Sequence, residues 1–196
     1  MAVTTRDSEK PADEKYSKIL KLIIEEPTNY NKIMETAAGC GYIEIVKLML
    51  EKGAKNYDSA MSNAALRGHI DIVKLMLEKD AKDYNWAISS AAEGVHIEIV
   101  KLMLEKGATN YDSVMCIAAP SGHIEIVKLM LEKGAKDYRS AMPSAAMYGH
   151  TGIVSFLQEH QKKQKGECSK DAEINLLKKE IESLKLKLNK IQEIII

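Results

Sequence analysis

One string of eight residues, Ile-Val-Lys-Leu-Met-Leu-Glu-Lys, starts at Ile45 and again at Ile72, Ile99 and Ile126, each 27 residues after the last. A fifth, degraded copy starts at Ile153 as Ile-Val-Ser-Phe-Leu-Gln, and Tyr30, Tyr57, Tyr84, Tyr111 and Tyr138 mark the same period. A fixed period of this size is the signature of a stacked repeat array, in which each unit buries its apolar face only against its neighbours.

One unit runs from Tyr57 to Asp83. Ala60, Met61, Ala64 and Ala65 fall on one face of a first helix. Asn29, Asn56, Asp83, Asn110 and Asp137 stand just before the five first helices, where Asn and Asp cap orphan N–H groups. Gly41, Gly68, Gly122 and Gly149 end the helix in a left-handed turn. Val95 breaks that pattern, and Gly94, one residue earlier, is expected to take over the turn. A second helix follows, with Ile70, Val73, Met76 and Leu77 on its apolar side and Asp71, Lys74 and Glu78 on its solvated side. Gly53, Gly107 and Gly134 stop it in other copies, and Asp80 replaces that glycine here. Helices of about ten residues do not persist alone in water, so stacking must hold them.

The expected organisation is a disordered stretch over 1–11, an N-terminal capping helix over 12–29, and five repeats over 30–56, 57–83, 84–110, 111–137 and 138–164. A linker over 165–172 and a coiled coil over 173–196 follow. The fold class is all-α: a helix-turn-helix solenoid with a C-terminal coiled-coil helix.

The stretch Gly68-His69-Ile70-Asp71-Ile72-Val73-Lys74-Leu75-Met76-Leu77-Glu78-Lys79 resembles the second-helix signature of ankyrin repeats. Ser59-Ala60-Met61-Ser62-Asn63-Ala64-Ala65 stands where the family carries its Thr-Pro-Leu-His-x-Ala-Ala stretch, without that proline and histidine; Pro143 falls at the histidine position. The resemblance covers most of residues 19–158. The period is shorter than the family's usual ~33 residues, so the hairpin finger between units should shrink to a short connector. Short repeats of this kind resemble those of large DNA viruses that infect protists, which implies a viral source and the host cytoplasm. The resemblance also implies protein binding through the concave, first-helix side.

Copies differ most on that side: Asp58, Asn85, Asp112 and Arg139 at one position, Ser59, Trp86, Ser113 and Ser140 at the next, and Arg67, Gly94, Ser121 and Tyr148 further along. The candidate partner-binding residues are Trp86, Arg67, Arg139, Tyr148, Asn85 and Asp112. Unconstrained variation at exposed sites is the competing reading. Trp86, the one tryptophan, is an interface anchor if exposed and core if buried.

His69, His96, His123 and His150 recur once per layer. Stacked helices stand roughly 8–10 Å apart, whereas zinc needs ligands at about 2.0–2.1 Å around one point. The histidines therefore read as ties between turns, and no metal or cofactor is expected. No phosphate loop, nucleophile elbow or Cys-x-x-Cys occurs, Cys116 reads as a small filler, and catalysis is not expected. Three scattered cysteines argue against a disulfide framework and fit a reducing compartment. Twenty-eight basic residues balance 28 acidic ones, giving no field for nucleic acid or an anionic membrane. Lys162, Lys163, Lys165 and Lys170 lack interleaved aromatics and read as a solvated segment. With no apolar leader and no apolar run of about 20 residues, the expected location is the cytoplasm.

In the tail, Ile174, Ile181, Leu188 and Ile195 are seven apart, and Leu177, Leu184 and Ile191 fill the other seam position. Glu173 and Glu180 would face Lys178 and Lys185 of a second copy in a parallel pair, which favours a homodimer. Folding back as a cap on the array, or a higher oligomer, stays open because Leu176 and Leu186 lie off the seam. The leading expectation is a non-catalytic module that binds a protein partner and self-associates through the tail. The alternatives are a structural subunit whose tail docks into a larger assembly, and an adaptor for a ubiquitin ligase.

Overall fold

The computed structural model describes residues 19, 23 and 29–195, with the side chains of 167–172 and 186–195 outside that description. The stretch expected to be disordered, 1–11, and most of the expected cap, 12–29, lie outside it. Of that cap, Ile19 is helical and buried in the core, and Ile23 is helical and exposed.

Ten helices follow among the described residues. They form five pairs: α1 (Tyr30–Cys40) with α2 (Ile43–Glu51), α3 (Tyr57–Arg67) with α4 (Ile70–Glu78), α5 (Tyr84–Glu93) with α6 (Ile97–Lys106), α7 (Tyr111–Ala118) with α8 (Ile124–Glu132), and α9 (Tyr138–Met147) with α10 (Thr151–Ile195). Every first helix begins on the periodic tyrosine. There is no strand among the described residues, so the connectors are short, as the 27-residue period predicts.

The first helices pack on one another in a row through small residues. Ala37, Ala64, Ala91, Ala118 and Ala145 recur at one position, all fully buried, and let neighbouring backbones approach. Met34, Met61, Ile88 and Met115 fill the layer between them, and Met49, Met76, Met103 and Met130 do the same under the second helices. Burying each such side chain contributes about 1.5–3 kcal/mol, and the contact is shared between the two helices of a pair and the neighbouring units.

The turn inside each pair closes with a left-handed residue whose N–H, with that of its successor, satisfies the last carbonyls of the first helix. At Gly68 φ is +81°, its N–H bonds to the Ala65 carbonyl, and the His69 N–H bonds to that of Ala64. The glycine is needed twice over, because a Cβ built there would lie 2.5 Å from the His96 ring of the next repeat.

The third repeat departs from expectation. Gly94 does not take over the turn; it stays in the right-handed region at φ −79°, and Val95 itself adopts φ +67°. Val95 stands in the 27-residue register of Gly41, Gly68, Gly122 and Gly149, so the turn keeps its periodic place; Gly94 answers a separate demand, since a Cβ on residue 94 would lie 2.1 Å from the Leu66 carbonyl oxygen.

The helix α10 also departs from expectation. It runs 45 residues without a break, straight through the stretch read as a linker, 165–172. Ile153 and Leu157 bury its first turns against the array. Tyr138, buried at the start of α9, shares a 2.9 Å hydrogen bond with His160 Nδ1, and the Lys128 ammonium sits 5.5 Å above the Phe156 ring. Beyond these contacts the helix carries Ile174, Leu177, Ile181 and Leu184 about half exposed along one side. The remaining seam side chains, Leu188, Ile191 and Ile195, lie outside the described residues.

Candidate partner-binding face

The second residue of each of the first four first helices carries a side-chain oxygen that reaches across to the following repeat. Asn31 Oδ1 accepts the N–H groups of Lys55 and Asn56 at 2.7 and 3.1 Å. Asp58 Oδ1 accepts those of Lys82 and Asp83 at 2.7 and 2.8 Å. Asn85 Oδ1 does the same for Thr109 and Asn110 at 2.8 and 3.3 Å, and Asp112 Oδ1 for Lys136 and Asp137. Those N–H groups start a helix and have no intrahelical partner, so each oxygen staples one unit to the next. Asn85 and Asp112, read from the sequence as variable binding positions, are engaged in this ladder. The fifth copy carries exposed Arg139, which has no acceptor to offer.

A second tier lies four residues on, where side chains meet the capping residue of the next unit. Asn56 Nδ2 donates to Glu35 Oε1 at 2.9 Å, and Asn110 Nδ2 donates to Ser89 Oγ at 2.8 Å and to the Asn85 carbonyl at 2.9 Å. Drawn away in this manner, Asn56 and Asn110 do not cap their own helices. Asn29, Asp83 and Asp137 do, through the N–H groups of Lys32, Trp86 and Ser140. At the equivalent place Cys116 Sγ lies 3.8 Å from Asp137 Oδ2. Burial and that carboxylate push the Cys116 thiol up to about 11, so it is a poor nucleophile at neutral pH.

What stays free on this side is a sparse set. Trp86 is 47% exposed, Tyr148 is 66% exposed, and Arg67 and Arg139 point to solvent. Met147, which the sequence reading passed over, is 80% exposed beside Tyr148. Its counterparts Leu66 and Pro120 are partly covered, and Glu93 is exposed. Trp86 and the Tyr148 group lie in the third and fifth units, so the structure does not gather them into one patch.

The histidines stack by layer. The rings of His69, His96 and His150 lie where a Cβ on Gly41, Gly68 and Gly122 would sit, one unit back. Burial holds His123 below the usual imidazole range, and the neighbouring His150 adds to that. Among the described residues no three His, Cys, Asp or Glu side chains converge as metal ligands, and no helix is long and apolar enough to cross a membrane.

Family comparison agrees with this architecture. A family model described as ankyrin repeats (3 copies) matches residues 12–87, 33–114, 61–138 and 88–171, which together span most of the chain. The chain belongs to the ankyrin-repeat family. No curated protein matches it. Ankyrin repeats in general are protein-interaction modules and typically carry no catalytic activity, so a protein partner is the class of ligand to which this ankyrin array points. Its departure from the longer ankyrin unit lies in the connectors. With no finger to reach outward, the first-helix face and the turns are what an ankyrin array of this build presents.

Proposed function

We propose that this ankyrin-repeat chain is a non-catalytic binding module whose first-helix face engages a protein partner and whose tail joins two copies. The observation that carries the first half is the contrast along that face. Asn31, Asp58, Asn85 and Asp112 are engaged between repeats, whereas Trp86, Arg67, Arg139, Tyr148 and Met147 are exposed with no structural duty that explains them. Aromatic residues and arginine are the side chains that most often anchor interfaces. Asn85 and Asp112 keep only a marginal part in contact with a partner.

The second half is favoured by the half-exposed row Ile174, Leu177, Ile181 and Leu184, with Glu173 and Glu180 placed to face Lys178 and Lys185 of a second copy. That same row equally suits docking of the tail into a larger assembly, which is the second reading.

The test is affinity capture with the full chain, with a Trp86→Ala, Arg139→Ala, Tyr148→Ala triple variant, and with a tail variant, Ile181→Asp, Leu184→Asp. Light scattering accompanies each. Loss of one specific captured protein in the triple variant, at unchanged thermal stability, supports the face. Undiminished capture by the triple variant removes it. A dimer that becomes a monomer in the tail variant supports self-association, and a full chain already monomeric removes it in favour of docking.

A further inference from the structure

The chain leaves the fifth repeat as the long helix α10 and not as a sixth repeat, so the far side of that repeat has no successor. The effect on burial is direct. Met61, Ile88 and Met115 are fully buried, and Met142 in the same position is only partly so. Ala65, Ala92 and Ala119 are fully buried, and Ala146 is exposed. Val73, Val100 and Val127 are fully buried, and Val154 on α10 is only partly so. Pro143 and Met147 lie exposed beside them. Residues 139, 142, 143, 146 and 147 of α9 share one helix face. Terminal units of a solenoid need a polar outer side, yet this stripe is apolar except for Arg139 at its start. An open apolar side of this kind marks an interaction surface.

Arg139 decides what fits there. In the four preceding units the same position carries an oxygen that accepts N–H groups at the start of the next first helix. A guanidinium only donates, so it refuses another repeat stacked head to tail, which would offer it the positive start of a helix. The leading side of the array is also taken, because Ile19, in the 27-residue register of Val46 and Val73, is helical and buried. What suits Arg139 is the negative, C-terminal end of a helix with its last carbonyls. The stripe itself supplies one. Turned over by a two-fold axis at Pro143, the middle of the stripe, the α9 of a second copy lies antiparallel along the first. Apolar side chains then meet apolar side chains, and each Arg139 meets the last turn of the other α9.

We infer that the open side of the fifth repeat is a docking surface for a second copy of this chain, with the two α9 helices antiparallel. Such a contact is isologous, with the same patch used on both copies. It deepens the binding reading above for Arg139, Met147 and Tyr148, to which it gives a definite occupant, and it involves neither Trp86 nor Arg67. It is also separate from tail pairing. Antiparallel α9 helices send their α10 rods in opposite directions, so the copy met here is not the copy met through a parallel tail. One helix face per copy is a small interface, and the pairing is accordingly concentration-dependent.

Sedimentation velocity tests it on the full chain carrying Ile181→Asp and Leu184→Asp, which remove tail pairing, over roughly 5–500 µM. The expected mass rises from monomer towards dimer across that range. Adding Arg139→Glu sets a negative charge against the negative helix end and raises the dissociation constant at least about tenfold. Adding Met147→Asp to the tail variant does the same by placing a charge in the apolar stripe. Both side chains are exposed, so an unchanged urea midpoint is the control for folding. A tail variant that stays monomeric throughout overturns the inference. So does a dimer whose dissociation constant either substitution leaves unchanged. Arg139→Glu with Met147→Asp in a chain with the intact tail reports on tail pairing alone: a monomer there removes the tail reading and leaves this contact standing.

Discussion

Asp58 accepts the backbone N–H of Lys82, 24 residues further along the chain, at 2.7 Å, and with the same oxygen it accepts that of Asp83 at 2.8 Å. Asn31, Asn85 and Asp112 repeat this bond one layer at a time.

Replacing Asp58 by alanine removes two acceptor contacts to N–H groups at a helix start. The expected loss is about 1–3 kcal/mol, read as a lower urea midpoint. Asp58→Asn should lie within about 0.5 kcal/mol of wild type, because asparagine does the same work at positions 31 and 85. Arg139→Ala, at the same position in the last unit, should leave the midpoint unchanged. A midpoint that moves equally in Asp58→Ala and Arg139→Ala defeats the ladder.

Ser62 and Ser90 share a buried hydroxyl hydrogen bond of 2.7 Å between the second and third units. Ser62→Ala strands the Ser90 hydroxyl and should destabilise by about 1–3 kcal/mol. The double variant Ser62→Ala, Ser90→Ala should recover much of that loss. A thermodynamic cycle measures the coupling, and simple additivity of the two losses contradicts a shared bond.

His123 titrates below the ordinary imidazole because burial and His150 disfavour its charged form. Its unfolded state therefore takes up the proton first. The sign follows: the contribution to stability is whole above about pH 6.5, and it is lost as pH falls below that value and through the folded pKa. Urea midpoints at pH 7.5 and 5.5 should differ more in wild type than in His123→Gln. Identical pH slopes would count against it.

Cys116, with its thiol raised to about 11, should alkylate slowly in the native protein. Fewer thiolates are partly offset by the greater intrinsic reactivity of a high-pKa sulfur, leaving a net slowing of about tenfold. Peptide mapping after iodoacetamide at pH 8, in buffer and in urea, measures the ratio. Equal rates in the two conditions remove the claim.

The repeat, its helix pairs and its core were legible because periodicity reports directly which residues are buried. Ala60, Met61, Ala64 and Ala65, grouped by helical spacing, are all fully buried. The purpose of Asn85 and Asp112 was not legible, since the N–H groups they accept lie 24–25 residues later in a connector. A signal was nonetheless present: that position is Asn or Asp in every unit with a successor and arginine in the one without. Val95 shows a different limit: the repeat register that places the left-handed turn at Gly41, Gly68, Gly122 and Gly149 holds at residue 95 too, although local propensity favours the glycine beside it. The continuity of α10 through 165–172 was not legible because the stretch lacks the apolar periodicity that marks a packed helix, and the one glycine in it, Gly166, costs a helix only about 1 kcal/mol.

That continuity makes the last repeat and the tail a single rod. At about 1.5 Å per residue its 45 residues extend roughly 67 Å. Its first turns are clamped to the array by Ile153, Leu157 and the Tyr138–His160 bond. Tilting the fifth unit by about 5° would sweep the far tip through roughly 6 Å, by the length of the helix alone. A small rocking of the array is thereby converted into a large stroke at the end of the chain, as with a pointer on a short pivot.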